Sequence, residues 1–169
     1  MRAILISVAG VASFGLALTA ISQSSTLQIS PFTEIQSPAP AGSAQPRLTT
    51  DAKGKVLLSW LAPANGGHAF QFSELTGTSW TDPRTIAEGA RFFANWADFP
   101  AMFVTRSGLM GAHWLERRGQ GRTAYDVKLR TSRDGGKTWT AAVIPHRDGT
   151  ESEHGFVSFF ETPGSAGSA

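Results

Sequence analysis

The 169-residue chain contains no cysteine. Disulfide bonds, cysteine-based zinc sites, thiol catalysis and a lipidated cysteine anchor are therefore excluded. Charge is also sparse and balanced, with 15 Lys and Arg against 13 Asp and Glu and a formal net charge of +2. The basic residues are scattered along the chain. Because phosphate binding requires a concentrated positive face, nucleic acid is not an expected partner.

Helical periodicity is lacking everywhere except at the N-terminus. The chain instead carries 18 Gly, 5 Trp and 11 Phe, which are the turn and packing residues of many short strands. Its apolar content of 41% is enough to form a core. The composition therefore predicts a β-rich domain.

The N-terminus has the pattern of an export signal. A short positive start is followed by an apolar stretch over residues 3–20 and a small-x-small cleavage site, so we expect a signal peptide over residues 1–22. The alternative is a retained membrane anchor, which the Ser and Gly residues inside the stretch disfavour. A Ser/Pro/Ala-rich linker is predicted over 23–45 and a flexible tail over 163–169. The expected location is periplasmic or extracellular.

One eight-residue segment carries a specific turn signal. Ser132, Asp134, Gly136 and Trp139 match the spacing Ser-x-Asp-x-Gly-x-x-Trp at every fixed position. The carboxylate can accept backbone N–H bonds, the glycines can adopt a positive φ, and the tryptophan can fold back over the turn. The segment therefore predicts a hairpin in which Asp134 is structural rather than catalytic.

Internal repetition extends this motif. Pro46, Gly54, Trp60 and Leu61 recur 54 residues later, and a degraded copy of the turn motif runs from 73 to 80 with Leu75 in place of the carboxylate. A third copy begins at Phe156. A period near fifty with several short strands per period indicates a propeller-like array. In the second copy we predict strands over 101–105, 109–115, 124–132 and 139–144.

The turn motif and the repeats resemble the Asp box of bacterial sialidase-like, BNR-repeat β-propellers, over residues 46–162. The resemblance implies an all-β fold whose blades have four antiparallel strands with Asp-box hairpins. Blade one would cover about 46–90, blade two about 98–145, and the first strand of a third blade 155–162. Since such propellers have six blades, the chain is expected to be the N-terminal portion of a longer protein whose remaining blades it lacks.

Propeller topology collects unusual polar residues on the rim opposite the Asp-box turn. The candidates there are Asn95, Trp96, Asp98, His113, Tyr125, Asp126, His146, Glu153 and His154. For His113 the alternative is a hydrogen-bonded core histidine, and for Asp126 a solvated charge at a strand end. The segment 146–154 has the ligand types of a metal site, but its spacing matches no established motif. No metal or cofactor is therefore predicted.

The resemblance implies an exported exo-α-sialidase that hydrolyses terminal sialic acid or a related acidic sugar, so a glycan is the expected partner. In that family an arginine triad binds the substrate carboxylate, a Tyr with a Glu partner is the nucleophile, and an Asp is the acid/base. Here only Arg47 could stand for the first arginine, and Asp98 is the candidate acid by its location. Tyr125 lies in too early a blade to be the nucleophile.

Two other function classes stay open. One is a non-catalytic propeller that binds carbohydrate or protein, which the absence of the family's Arg-Ile-Pro motif favours. The other is a lyase or another hydrolase acting on an acidic polysaccharide from the same rim.

Overall fold

The computed structural model describes residues 31–119 and 124–162. Their regular structure is strands only, so within these ranges there is no helix that could cross a membrane. The predicted signal peptide and the tail lie outside the described residues. The chain divides into two compact units, Met1–Thr33 and Glu34–Ala169, and all the strands belong to the second. They are β1 Ala44–Thr50, β2 Val56–Ala64, β3 Gly67–Thr76, β4 Ser79–Trp80, β5 Arg84–Gly89, β6 Phe92–Phe93, β7 Ala101–Val104, β8 Met110–Arg117 and β9 Tyr125–Ser132.

The first sheet is an antiparallel meander. Its strand order is β1-β2-β3-β5, and the short β4 pairs with the end of β3. Successive side chains of a strand point to opposite faces. The apolar residues at every second position therefore line one face, which carries Leu57, Leu61, Phe70, Phe72 and Ile86.

The second sheet is built on β8, which pairs with β9 along one edge and with both β6 and β7 along the other. Phe93 pairs with Leu115 and Ala101 pairs with His113, so β6 and β7 form one interrupted edge strand. The residues between them, 94–100, form a loop that leaves the sheet. This interruption positions much of the candidate site.

The strands predicted at 101–105, 109–115 and 124–132 are present as β7, β8 and β9. Residues 139–144 form no strand, and they meet β9 only through a single bridge between Val143 and Leu129 and a bond from the Thr140 amide. The reason lies in packing. Val143 is 54% exposed, whereas Ile86 of the outer strand β5 is 1% exposed. Residues 155–162, predicted to start a third blade, also form no strand.

The 54-residue repeat is present in the hydrogen bonds. The amide of Gly54 donates to the carbonyl oxygen of Asp51, and the amide of Gly108 donates to that of Thr105, each at 3.0 Å. Both glycines have a positive φ, 78° and 86°, which other residues adopt with strain. Since β2 and β8 also start 54 residues apart, the first hairpins of the two sheets are equivalent.

Beyond the first hairpin the offset grows. Leu61 pairs with Phe70 while its counterpart Leu115 pairs with Val127, so the third strands are offset by 57 residues. The amide of Thr81 closes the next turn on Glu74, and that of Thr140 closes it on Thr131, an offset of 59 at the far side of the turn. By this register the counterpart of Ser132 is Leu75. The predicted degraded copy therefore keeps a turn, but its Ser73 does not correspond to Ser132.

The main core lies between the two sheets. Met102, Met110, Ala112 and Trp114 of the second sheet join the apolar face of the first in one buried cluster. Burying large apolar side chains stabilises such a core by about 1.5–3 kcal/mol each. The edge strands β1 and β7 also meet, since the Thr49 hydroxyl donates to the carbonyl oxygen of Met102 at 2.9 Å. The sheets therefore stack face to face with their first strands side by side.

Candidate functional site

The loop over residues 94–100 is shaped by Asn95. Its side-chain oxygen accepts hydrogen bonds from the amides of Ala97 and Asp98, both at 2.7 Å, and its own amide donates to the Asp98 carbonyl oxygen. This is the local side-chain-to-backbone turn that Asn favours. Asn95 therefore forms the turn, while Trp96 at its tip is 92% exposed.

Asp98 is buried and serves as an acceptor for three groups. One carboxylate oxygen accepts from the Phe156 amide at 3.0 Å, and the other from the Asn95 side-chain amide at 3.3 Å and the Tyr125 hydroxyl at 3.4 Å. A Cβ atom on Gly155 would lie 2.6 Å from this carboxylate. The close approach of the segment around residue 155 therefore depends on that glycine.

Tyr125 starts β9 and is buried against Phe93, with ring centroids 4.3 Å apart. Burial, together with the negative charges of Asp98 and Glu153, raises the pKa of Tyr125 to about 12. The phenol is thus protonated at neutral pH. It acts here as a hydrogen-bond donor, which agrees with its not being assigned as the nucleophile.

Arg47, Asp98 and His113 line one small depression, which we call the Arg47 depression. Its volume of about 60 Å³ is far below the roughly 300–1,000 Å³ of ordinary ligand pockets. A groove of about 450 Å³ adjoins it, shares Arg47 and His113, and extends along β7 to Phe159. A sugar-sized ligand would therefore lie in the groove, with only a substituent in the depression.

Arg47 is exposed on β1, and its guanidinium lies 5.4 Å from the centre of the Phe99 ring. This distance is within the range of a cation–π contact. Among the described residues no carboxylate forms an ion pair with it. The guanidinium is therefore held in place with its hydrogen-bond donors available to an anion.

His113 lies inside β8 rather than at the strand end that the sequence suggested, because β8 continues to Arg117. It is 5% exposed, and burial, helped by the positive charge of Arg47, lowers its pKa to about 4. The ring is therefore neutral at pH 7. Its Nδ1 atom is buried without a hydrogen-bond partner in the part of the chain that the structure describes.

A second group of polar side chains lies beside Tyr125. We call it the histidine cluster, and it contains Asp126, His146, Asp148 and His154. The imidazole rings of His146 and His154 are stacked 3.7 Å apart and almost parallel. His146 Nε2 lies 3.6 Å from Asp126 Oδ1, and Arg118 lies 3.6 Å from the same oxygen.

Asp148 connects the two rings of the cluster. Its carboxylate is 3.0 Å from His154 Nε2 and 3.6 Å from His146 Nδ1. The hydrogen bonds from His154 and from Thr150 hold the pKa of Asp148 well below its usual range. In return, the bond to Asp148 raises the pKa of His154.

The turn after β9 is held by Asp134 as its sequence predicted. The carboxylate accepts from the Ser132 hydroxyl, the Lys137 amide, and both the amide and the hydroxyl of Thr138. These bonds, led by that from the Thr138 hydroxyl, hold the pKa of Asp134 well below its usual range. With its oxygens used in this way, Asp134 is a turn residue in this structure.

The predicted residues thus fall into two neighbouring groups joined by Tyr125. Its carbonyl oxygen lies 3.2 Å from His154 Nδ1, while its hydroxyl bonds to Asp98. The Asp134 turn is at the other end of β9, roughly 23 Å away at about 3.3 Å per residue. Glu153 is exposed and contributes a backbone bridge to Tyr125.

Sequence reasoning missed two contributors to these groups. Phe99 supports Arg47, and Asp148 connects the two histidines. The His-x-Asp spacing was a usable signal for Asp148. No sequence signal pairs Phe99 with a residue 52 positions earlier, because the contact depends on β1 lying beside the loop before β7.

The described part of the chain is therefore an all-β protein of antiparallel sheets. No protein-family model matches the chain, and no curated protein sequence matches it.

Proposed function

We propose that this chain is part of an exported, sialidase-like β-propeller glycosidase that hydrolyses a terminal acidic sugar. One observation carries the proposal. The exposed guanidinium of Arg47, which has no carboxylate partner among the described residues, lies at a depression that also contains Asp98 and the neutral His113. An anion-binding group beside a carboxyl group is what a glycosidase for acidic sugars needs.

The arrangement of the sheets supports a propeller. Two meander sheets with equivalent first hairpins stack face to face, and their first strands meet at one edge. In a propeller such first strands line the central channel. The Asp134 turn at the outer end of β9 has the bonding expected of an Asp box.

The groove beside the depression suits the substrate proposed. Its volume of about 450 Å³ falls within the range of sugar-sized ligands, and Arg47 and His113 form part of its wall. Arg47 would bind the sugar carboxylate through its planar fork of N–H donors. The apolar ring of Phe159 would contact the sugar body.

Asp98 is the proposed acid/base. It lies at the depression, but both of its oxygens already accept hydrogen bonds from the protein. Proton transfer to a substrate would require one of these bonds to give way, and the bond from Tyr125, at 3.4 Å, is the longest. The same observation favours a second candidate function, a non-catalytic propeller that binds acidic glycans through Arg47.

Assays of hydrolysis and of binding distinguish the two candidates. The full-length protein would be tested for release of sialic acid from a fluorogenic sialoside and for retention on immobilised sialosides. Arg47→Ala and Asp98→Asn are the test variants, and Arg133→Ala, an exposed arginine in the distant turn, is the control.

A glycosidase should lose on the order of 10²-fold in turnover in Asp98→Asn. Retention without turnover, lost in Arg47→Ala and kept in Asp98→Asn, would establish the binding function instead. If neither turnover nor retention is observed, both candidates are wrong.

A further inference from the structure

The histidine cluster combines metal-ligand atoms from distant parts of the chain. Asp126 comes from β9, while His146 and His154 come from the irregular segment that follows. One ligand atom from each of the three residues lies within 4.8 Å of the other two. The structure thus gathers a carboxylate oxygen and two imidazole nitrogens around one point.

Two of these atoms are buried without hydrogen bonds. Asp126 Oδ1 and His146 Nε2 face each other at 3.6 Å, and neither has a hydrogen-bond partner among the described residues. The Asp126 side chain is only 10% exposed. Leaving such atoms unsatisfied costs about 1–3 kcal/mol each. Arg118 lies 3.6 Å from Asp126 Oδ1, close enough to balance its charge but too far to bond to it.

We propose that Asp126, His146 and His154 form a binding site for a divalent transition-metal ion, with zinc as the preferred ion. Imidazole nitrogen and carboxylate oxygen are ligands that zinc binds at about 2.0–2.2 Å, which places neighbouring ligands roughly 3.3 Å apart. The 3.6 Å between Asp126 and His146 is close to this separation. Calcium and magnesium prefer all-oxygen ligands, so two imidazoles disfavour them.

Asp148 is suited to orient the rings. It is hydrogen-bonded to His154 Nε2 at 3.0 Å and lies 3.6 Å from His146 Nδ1, on the side of that ring away from Asp126. Carboxylates that bind the second nitrogen of a ligating histidine fix its orientation and strengthen it as a ligand. His146 Nε2 is thereby directed at Asp126.

The proposed metal would be structural. The segment between residues 144 and 155 forms no strand and joins β9 only at isolated points, such as the bridge between Glu153 and Tyr125. An ion shared between β9 and this segment would fasten it beside Tyr125. The proposal does not depend on the sugar-binding function, because it uses none of the residues at the Arg47 depression.

Titration of the chelator-treated full chain with zinc chloride in a calorimeter tests the site. We expect one saturable site per chain. His146→Ala and Asp126→Asn should each weaken binding at least 100-fold, Asp148→Asn about 10-fold, and the control His68→Ala, an exposed histidine on β3, not at all. Magnesium chloride and calcium chloride should give no saturable heat.

Cobalt(II) supplies a readout that does not depend on the variants folding. The wild-type chain should give the strong visible absorption of a low-symmetry cobalt site with nitrogen ligands, and an equivalent of zinc should abolish it. Far-UV circular dichroism without metal identifies variants that fail to fold. The proposal is wrong if the folded wild-type chain binds no zinc saturably, or if folded His146→Ala and Asp126→Asn bind it as the wild type does.

Discussion

Gly136, in the turn after β9, lies directly against the ring of Phe72 in the first sheet, so that a Cβ atom there would come within 2.4 Å of the ring. Trp139 meets the same ring edge-on at a centroid distance of 6.3 Å. Arg84 packs over Phe72 and donates to the carbonyl oxygen of Gly135. This turn therefore fastens the second sheet to the first.

The two glycines of the turn provide a matched pair of variants. Both have a positive φ, 73° at Gly135 and 79° at Gly136, but a Cβ on Gly135 would meet no atom within 4 Å. Gly135→Ala should cost only the backbone strain, about 1–2 kcal/mol. Gly136→Ala should add about 1–3 kcal/mol of overpacking against Phe72. Urea denaturation measures both, and equal losses would contradict the contact.

Asp134 should matter more to the turn than its exposure suggests. Asp134→Ala leaves the amides of Lys137 and Thr138 without their acceptor, so the melting temperature should fall. Arg133→Ala, at the neighbouring exposed position, is the control and should melt as the wild type does. Differential scanning calorimetry makes the comparison. A melting temperature unchanged in Asp134→Ala would mean that the turn forms without its carboxylate.

His113 should make stability depend on pH. Its folded pKa of about 4 lies below the ordinary 6.5, so between these values the unfolded chain binds a proton that the folded chain does not. Stability is therefore complete above pH 6.5 and falls by about 3 kcal/mol as the pH is lowered to 4.

The test compares slopes rather than absolute stabilities. The free energy of unfolding would be measured by urea denaturation between pH 7 and pH 4 for the wild type, His113→Gln and the control His68→Gln. The decline should be shallower in His113→Gln and unchanged in the control. Parallel declines in all three proteins would show that another group causes the pH dependence.

Tyr125 is the only tyrosine, so its ionisation can be followed directly by ultraviolet absorption. The phenol should titrate near pH 12 in the folded protein, two units above its ordinary value. In Asp98→Asn the pKa should fall toward 10 without reaching it, since burial is the largest cause of the shift and stays in place. Titration near 10 in the folded wild type would show that Tyr125 is neither buried nor close to Asp98.

The sequence predicted most of what depends on local pattern. Alternation of side chains along 125–132 and the turn chemistry of Asp134 both act over a few residues, and both are present. The strand over 139–144 was wrong, because its apolar residues find nothing to pack against and stay exposed. Apolar alternation alone does not show whether a neighbouring surface exists.

The candidate site was predicted less completely for a related reason. Propeller topology placed Asp98, Tyr125 and His154 on one rim, and the structure brings them into a chain of contacts. It did not reveal that Asp126 faces His146, because the two are 20 positions apart and the segment between them is partly irregular. Spacing along the chain therefore hid a ligand set that is evident in three dimensions.

The equivalence of the two first hairpins has a consequence for protein design. Asp51 and Thr105 each accept hydrogen bonds from their turn through an oxygen of a short side chain, and Gly54 and Gly108 close the turns. A consensus module would keep these two positions and vary the remaining connections, whose lengths already differ between the copies. The chain thus supplies a template from which a symmetric array of identical units could be built.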